Sequence, residues 1–350
     1  MSSFTKYIIN HQESILTAIE KINLNGKRAI LVANNKNEII GLATDGDIRR
    51  ALLKKINLNE SITLAMNKKF KYFYSNDQIK NALDDESFIP VLNEHDHTIN
   101  NIYFDNPPKN DLQLNSTPVL IMAGGFGKRL RPLTKDIPKP MLEISGIPLL
   151  EITINYLNKL GLKNIFISTY YLPDKIKNYF GNGSNHNAKI TYLDEAEPSG
   201  TAGCLSLLPD EIKYHSLIVV NGDILTRLNF IELLELHNDT KSEITIGTKF
   251  HEYSIPYGIL ETNDGVVSSI TEKPTIRNEI SAGIYVINKS VITTFLKDVK
   301  YLDMPDLINM LLKKNMKISS FPIHEYWLDI GKKNDFDKAQ NDLEVYFDEK

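Results

Sequence analysis

At 350 residues the chain exceeds the commonest size of a single domain, so two domains, or one large α/β domain, are the starting expectations. Forty Lys and Arg against forty-four Asp and Glu exclude a global field that would draw in nucleic acid or an anionic membrane, and make any anion site local. A single cysteine, Cys204, excludes an internal disulfide framework and a cysteine zinc cluster; it fits a reducing compartment and reads as a core residue.

The N-terminus, MSSFTKYIINHQESILTAIEKI, alternates polar and apolar residues and lacks the apolar core of a signal peptide. No later apolar run approaches the ~18 residues that a membrane span needs. The expected location is the cytoplasm. Two stretches then resemble each other: RAILVANNKNEIIGLATDGDIRRALL from Arg28, and FIPVLNEHDHTINNIYF from Phe88. Each reads as strand, polar turn and strand, and each follows an amphipathic helix candidate, ESILTAIEKI and DQIKNALDD. In the first copy Asp47 is expected to cap the helix IRRALLKK. The polar segment FDNPPKNDLQLNSTP, residues 104–118, carries three prolines and reads as a linker. The expected division is a domain at 1–107, a connection at 108–117 and a domain at 118–350, with few contacts crossing the boundary.

Past the linker, apolar strands (PVLIMAGG, NIFISTYY, KITYLDE, SLIVVNGD) alternate with helical patterns (LLEITINYLNKLG, LPDKIKNYFG). Such a pattern predicts a mostly parallel sheet covered on both faces, with ligands bound beyond the carboxyl ends of its strands. Three suggestive motifs start at such ends. The first is AGGFGKRLRPLTKDIPKP, residues 123–140. Gly124, Gly125 and Gly127, after Ala123, let backbone N–H groups approach phosphate oxygens, and Arg129 and Arg131 add bidentate donors. The spacing fits neither a P-loop nor a dinucleotide fingerprint. The second is LIVVNGD, whose Asn-Gly is a strong hairpin signal and whose Asp223, at a strand tip, suits a hard cation. The third, EYWLDIGKKNDF, presents Asp329, which also reads as a helix cap.

The run Gly-Gly-x-Gly-x-Arg-Leu-x-Pro-Leu-Thr, with Pro138-Lys139-Pro140 after it, strongly resembles the signature of sugar-1-phosphate nucleotidyltransferases over about residues 117–340. The resemblance implies a Rossmann-like mixed α/β sheet that is mostly parallel. It implies Mg²⁺ on Asp223 and Asp329, Arg129 on the leaving pyrophosphate, Lys139 on the α-phosphate and Lys273 on the sugar phosphate. EPSGTAG, residues 197–203, resembles the loop that contacts base and sugar and supplies Glu197 and Gly200; Ser199 stands where leucine is frequent. PYGIL supplies Gly258, TEKP supplies Glu272 and Lys273, and SAGIYV supplies Gly283 for the sugar. Lys128 replaces a threonine usual before the arginine. With about twenty residues left after Asp329, a trailing left-handed β-helix is not expected. NDFDKAQNDLEVYF reads as a terminal helix.

The N-terminal repeat, with TDGDIRR at residues 44–50, resembles a tandem pair of CBS modules, in which Thr44 and Asp47 contact the ribose and phosphate of an adenine nucleotide. A turn that only starts a helix explains the same residues equally well. The second copy departs from the pattern, running from INNIYF straight into NPP. The joint architecture is similar to bacterial guanylyltransferases that activate glucosamine 1-phosphate for legionaminic acid and surface glycans, with mannose-1-phosphate guanylyltransferases as the near alternative. The expected donor is GTP, because an ionised Glu197 accepts from the N1–H and 2-amino group of guanine and repels the acceptors of thymine or uracil; cytosine is the competitor. Other expected partners are a sugar 1-phosphate, an adenine nucleotide and further copies of the chain. The rival reading, a nucleotide-sensing protein with a decayed site, would have lost metal ligands or phosphate lysines first; Asp223, Asp329, Lys139 and Lys273 are all present.

Overall fold

The computed structural model describes residues 4–25, 27–54, 56–75, 88–103 and 117–347. The N-terminal unit holds β1 (Ile8–Asn10), α1 (Ile15–Asn25), β2 (Ala29–Ala33), β3 (Ile39–Thr44), α2 (Asp45–Leu53), β4 (Ile89–Leu92) and β5 (Ile99–Tyr103). Strand β2 pairs parallel with β1 and antiparallel with β3, and β4 pairs antiparallel with β5. Each predicted strand pair is present, and each has one register shift, at Val32/Ala33 and at Val91/Leu92. The helix candidate DQIKNALDD and most of the proposed linker lie outside the described residues.

Alternation along β2 explains how so small a unit builds two apolar layers. Ile30 and Val32 face Ile15, Ala18, Ile19 and Ile22 of α1 and Ile48, Ala51 and Leu52 of α2, the i, i+3, i+4 spacing of helical stripes. Leu31 and Ala33 face the other way, toward Phe88, Leu92 and Ile102 of the second copy. Helix α2 starts earlier than the sequence pattern suggests. Thr44, not Asp47, is its N-cap, and Asp47 closes a capping box: the Asp47 N–H donates to Thr44 Oγ1 at 3.2 Å, and the Thr44 N–H donates to Asp47 Oδ2 at 3.1 Å.

The larger unit runs β6 (Val119–Met122), β7 (Glu143–Ile144), β8 (Ile147–Pro148), α3 (Leu149–Lys159), β9 (Asn164–Thr169), α4 (Pro173–Phe180), β10 (Lys189–Asp194), α5 (Gly200–Gly203), β11 (Ser216–Asn221) and β12 (Ile224–Thr226). It continues with α6 (Phe230–Thr240), β13 (Ile244–Ser254), β14 (Ile259–Asn263), β15 (Val266–Thr271), β16 (Thr275–Asn288), α7 (Lys289–Phe295), α8 (Met304–Lys313), β17 (Ile318–Pro322), β18 (Trp327–Asp329) and α9 (Lys333–Tyr346). Seven strands form one sheet in the order β10-β9-β6-β11-β16-β13-β17, parallel throughout except for β16. The strands read as continuous apolar runs because both faces are covered. Val119, Ile121, Ile167 and Val220 pack on Leu150 and Ile154 of α3 and Phe230 of α6, while Leu120, Phe166 and Val219 pack on Met304, Leu307 and Leu311 of α8.

The expectation that few contacts cross between the two units is not met. Arg49 of α2 is 3 % exposed, and its charged partners are Glu232 and Glu325 of the larger unit. Asp45 Oδ1 lies 2.9 Å from His324 Nε2, and Phe250 of β13 packs against the α1 and α2 core. Charged residues are hidden at this boundary because each finds an opposite partner there.

Candidate active site

Strand β6 ends in the glycine turn. Ala123 is still held to the sheet, its N–H donating to Ser168 O at 3.0 Å. Gly127 has φ +60°, and a Cβ there would lie 2.9 Å from Thr134 Cγ2 and 3.2 Å from Lys139 Cβ, so this position requires glycine both for its backbone and for its neighbours. The Thr134 hydroxyl donates to Gly127 O at 2.8 Å and folds the basic stretch back over the turn. A Cβ on Gly125 would meet nothing within 4 Å. Arg129 is exposed, and Lys139 is half-buried between the buried Pro138 and Pro140.

The end of β11 is tied to the same place. The Gly222 N–H donates to Met122 O at 2.9 Å, and a Cβ on Gly222 would stand 2.6 Å from that oxygen. Asp223 follows. Its Oδ2 accepts from Lys139 Nζ; its Oδ1 is buried and has no hydrogen-bond partner among the described residues. Asp329 ends β18 opposite Ile224 of β12, the Ile330 N–H donates to Asp223 O at 3.0 Å, and Lys139 Nζ is 4.0 Å from Asp329 Oδ1. Burial, and next the charge of Asp223, push the Asp329 carboxyl above its ordinary range, against the pull of Lys139 and Arg129. Two converging carboxylates and an orphaned buried oxygen fit a hard divalent cation. Neither structural alternative is realised: β11 is flanked by β6 and β16 and makes no hairpin at Asn-Gly, and the N-cap of α9 is Lys332, not Asp329.

A second group gathers at the base of the β14–β15 hairpin. Pairing of Ile259 with Thr271 brings Gly258 to Glu272, whose Oε2 would be 3.0 Å from a Cβ on Gly258. Lys273 Nζ lies 3.9 Å from Glu272 Oε1, and both side chains are exposed. Gly283 of β16 lies against Asn221, two residues before Asp223: a Cβ there would be 2.6 Å from Asn221 Nδ2. The fold thus brings together Arg129, Lys139, Asp223 and Asp329, and sets Gly258, Glu272 and Lys273 in a cluster of their own.

The loop after β10 carries two acids that the structure places differently. Glu197 is exposed. Glu195, not singled out from the sequence, lies against the glycine turn, its Oε1 2.7 Å from where a Cβ on Gly124 would be. Its Oε2 accepts from the Ser199 N–H at 3.0 Å and from the Ser199 hydroxyl at 2.5 Å, so the serine in the place of leucine orients this carboxylate. Gly200, with φ +78°, opens α5. Lys128 reaches over the Phe126 ring, which in turn meets Tyr170 and Tyr171. Burial pushes the Cys204 thiol up to about 12, the state of an inert core residue.

Residues 118–345 match the nucleotidyl transferase family. The chain belongs to that family. It is a nucleotidyltransferase, and its glycine turn, Lys139, Asp223 and Asp329 all fall within the matched residues. It is 32 % identical over 229 residues to D-glycero-alpha-D-manno-heptose 1-phosphate guanylyltransferase of Aneurinibacillus thermoaerophilus, a match covering 65 % of this chain and 98 % of that one. It is 33 % identical over 229 residues to mannose-1-phosphate guanyltransferase of Debaryomyces hansenii, of which it spans only about three-fifths, the match covering 62 % of each chain. Among solved structures, HddC from Yersinia pseudotuberculosis aligns with a TM-score of 0.53 at 30 % identity, over 65 % of this chain and 99 % of that one; HddC complexed with GMP-PN aligns with a TM-score of 0.52 at 29 % identity, over the same shares. The N-terminal unit, with Thr44 and Asp47, lies outside the family match.

Proposed function

We propose that this nucleotidyltransferase moves a nucleoside monophosphate from a nucleoside triphosphate, GTP by preference, to a sugar 1-phosphate, giving a nucleoside diphosphate sugar and pyrophosphate. The observation that carries the proposal is Asp223, with one oxygen on Lys139 and the other buried and without a hydrogen-bond partner among the described residues, and Asp329, whose Oδ1 is 4.0 Å from the same Lys139. In this reaction a phosphate oxygen of the sugar 1-phosphate bonds to the α-phosphorus. The bond from that phosphorus to the bridging oxygen breaks, and its electron pair leaves on pyrophosphate. The nucleophile arrives already anionic, so the protein needs no base and contributes alignment and charge.

Backbone N–H groups of Gly124, Gly125 and Gly127 cradle the triphosphate, Arg129 holds the departing pyrophosphate, and Lys139 meets the α-phosphate. Lys273 takes the sugar phosphate, while Glu272, Gly258 and Gly283 border the sugar. Mg²⁺, bound by Asp223 and Asp329, would neutralise charge on the phosphate oxygens. Glu195 replaces Glu197 as the proposed reader of the base: its carboxylate accepts from the N1–H and 2-amino group of guanine, as supported by its place against Gly124 and by the guanylyltransferase names of the relatives.

Glucosamine 1-phosphate, feeding legionaminic acid synthesis, is the acceptor favoured by the joint architecture; mannose 1-phosphate and the heptose 1-phosphate named for the relatives are the alternatives. We further take the N-terminal unit to be a CBS pair with an adenine nucleotide site at Thr44 and Asp47, and the enzyme to be a homo-oligomer. Pyrophosphate release, measured over a grid of GTP, CTP, UTP and dTTP against the three sugar phosphates with Mg²⁺ present and absent, tests the reading. Turnover with GTP and one sugar phosphate is expected. No release in any cell of the grid overturns it.

A further inference from the structure

One stretch of chain, residues 321–329, joins the boundary between the two units to the carboxylates of the active site. Its first half is held by the transferase, where Phe321 and Pro322 pair with Gly247 and Thr248 of β13, the Ile323 N–H donates to Thr248 O at 2.7 Å and Lys249 Nζ donates to Glu325 O at 3.0 Å, and also from the N-terminal unit. Arg49 Nη1 donates to Pro322 O at 2.7 Å, Arg49 Nη2 donates to Glu232 Oε2 at 2.9 Å and to Glu325 Oε1 at 3.3 Å, and the guanidinium carbon lies 3.6 Å from the centre of the Phe321 ring. Asp45, one turn earlier on α2, holds His324. The second half is held by the transferase. Tyr326 O accepts from the Arg227 N–H at 2.9 Å and the Thr226 hydroxyl at 2.8 Å, the Trp327 indole donates to Ala282 O at 2.9 Å, and Ile330 is tied to Asp223. Asp329 is four positions beyond Glu325, a span of roughly 13 Å even if fully extended. A shift at Glu325 therefore has little slack in which to fade before Asp329.

We propose that Arg49 is a positioning residue of nucleotidyl transfer: from the N-terminal unit it fixes residues 321–325, and so sets where Asp329 presents its carboxylate. The proposal rests on the reading of Asp223 and Asp329 as cation ligands. Two features separate it from plain adhesion between units. An apolar contact would join two units without removing charges from water, whereas a planar group with five donors accepts only one arrangement of its partners. Moreover, the partners of Arg49 are the backbone and side chains of this one stretch, plus Glu232, and include no other part of the transferase among the described residues.

Asp45, His324 and Glu325 also have ligand atoms within 4.8 Å of one another, as a metal site would. A cation there would sit beside the Arg49 guanidinium, which is 3.3 Å from Glu325 Oε1, and that charge opposes it, so the cluster reads as an ion-paired boundary.

The test compares full-length wild type with Arg49→Lys and Arg49→Met. Circular dichroism and melting establish the fold, hydrogen exchange follows the amides of residues 326–331, and steady-state kinetics give kcat, KM and the Mg²⁺ concentration at half-maximal rate. In Arg49→Met these amides are expected to exchange at least about tenfold faster while the rest of the sheet is unchanged. We expect kcat to fall about ten- to a hundredfold and the Mg²⁺ requirement to rise, with KM for GTP nearly constant, because misplacement of one charged group acts on the transition state. Arg49→Lys, which keeps the charge and loses the fork, should fall between. If Arg49→Met does not fold, Glu232→Gln carries the same measurements. Wild-type exchange and an unchanged Mg²⁺ requirement in folded variants, with only the melting temperature lowered, would overturn the proposal. Should wild type turn over none of the nucleotides, the functional reading fails, and exchange at 326–331 still decides whether Arg49 positions the stretch.

Discussion

The boundary between the units and the active-site cleft treat charge in opposite ways. At the boundary Arg49, Glu325, Asp45 and His324 are almost fully buried, and each has a partner of opposite sign or a carbonyl, although His324 Nδ1 has no hydrogen-bond partner among the described residues. In the active site Arg129 is exposed and Asp223 keeps one buried oxygen without a hydrogen-bond partner among the described residues. Paired charge in a dry place fixes geometry, whereas charge left open in a cleft is free to bind a ligand. The two places differ in what a mutation should remove: the first loses structure, the second loses chemistry.

The largest effect should come from the cleft. Asp223→Asn is expected to lower turnover by roughly two to three orders of magnitude, ~3–4 kcal/mol of transition-state stabilisation, because the cation loses a charged ligand. The melting temperature should hold or rise, since the repulsion that pushes up the Asp329 carboxyl is relieved. A variant that keeps its rate and its metal requirement would remove Asp223 from the chemistry.

At the boundary the expected loss is in stability. Burial alone would raise the Glu325 carboxyl, but the charges of His324 and Arg49 pull it from the usual 4.5 down to about 2. A carboxyl lowered in the folded state contributes stability above its unfolded range, and that contribution disappears as pH falls from about 4.5 toward 2. Burial shifts Asp45 the other way, so it takes up its proton first. Glu325→Gln should therefore flatten the acid limb of the melting curve and cost up to ~3 kcal/mol at neutral pH, by leaving Arg49 short of a charge. An acid limb identical to that of wild type would show that Glu325 is not the group being protonated.

The sequence-based expectation that the first unit separates cleanly is weakened by the same boundary. The family match itself begins at residue 118. In this chain, removing the N-terminal unit would uncover Phe321 and strip Glu325 of its guanidinium.

Specificity for the base is the third and smaller effect. Glu195→Gln should erode a GTP preference over UTP or dTTP by about ten- to a hundredfold, ~1–3 kcal/mol, while Glu197→Gln leaves the ranking of nucleotides unchanged. The reverse outcome would restore Glu197 as the reader. The pair also shows where reading from sequence stops. Apolar strands ending in glycine, Asn-Gly-Asp and Pro-Lys-Pro are legible because burial and turn chemistry act locally, and so the ends of β6 and β11 and the residues beyond them were found. In Glu195-Ala196-Glu197 the two acids are alike in composition, and only the exit of β10 beside Gly124 decides which faces inward. Arg49 is harder still. In Asp47-Ile48-Arg49-Arg50 it looks like one basic residue of a solvated helix face, and its partner Glu325 lies 276 positions away. Local pattern carries no trace of such a pairing.

The smallest effect lies on α2 itself, at the turn where the sequence left a ligand site and a helix start equally open. In the folded chain Thr44 and Asp47 satisfy each other through the capping box, and Asp47 Oδ1 is further paired with Arg50. An adenine nucleotide at this turn would have to share or displace those bonds. Thr44→Ala removes the side-chain acceptor for the Asp47 N–H and should cost ~1 kcal/mol, the usual worth of an N-cap. Thr44→Ser keeps the hydroxyl and should be near neutral. A nucleotide role adds a second signature: ATP should raise the melting temperature of wild type and of Thr44→Ser, and fail to raise that of Thr44→Ala. If ATP stabilises none of the three while Thr44→Ala still loses its ~1 kcal/mol, the residues serve only to start the helix that carries Arg49 to the boundary.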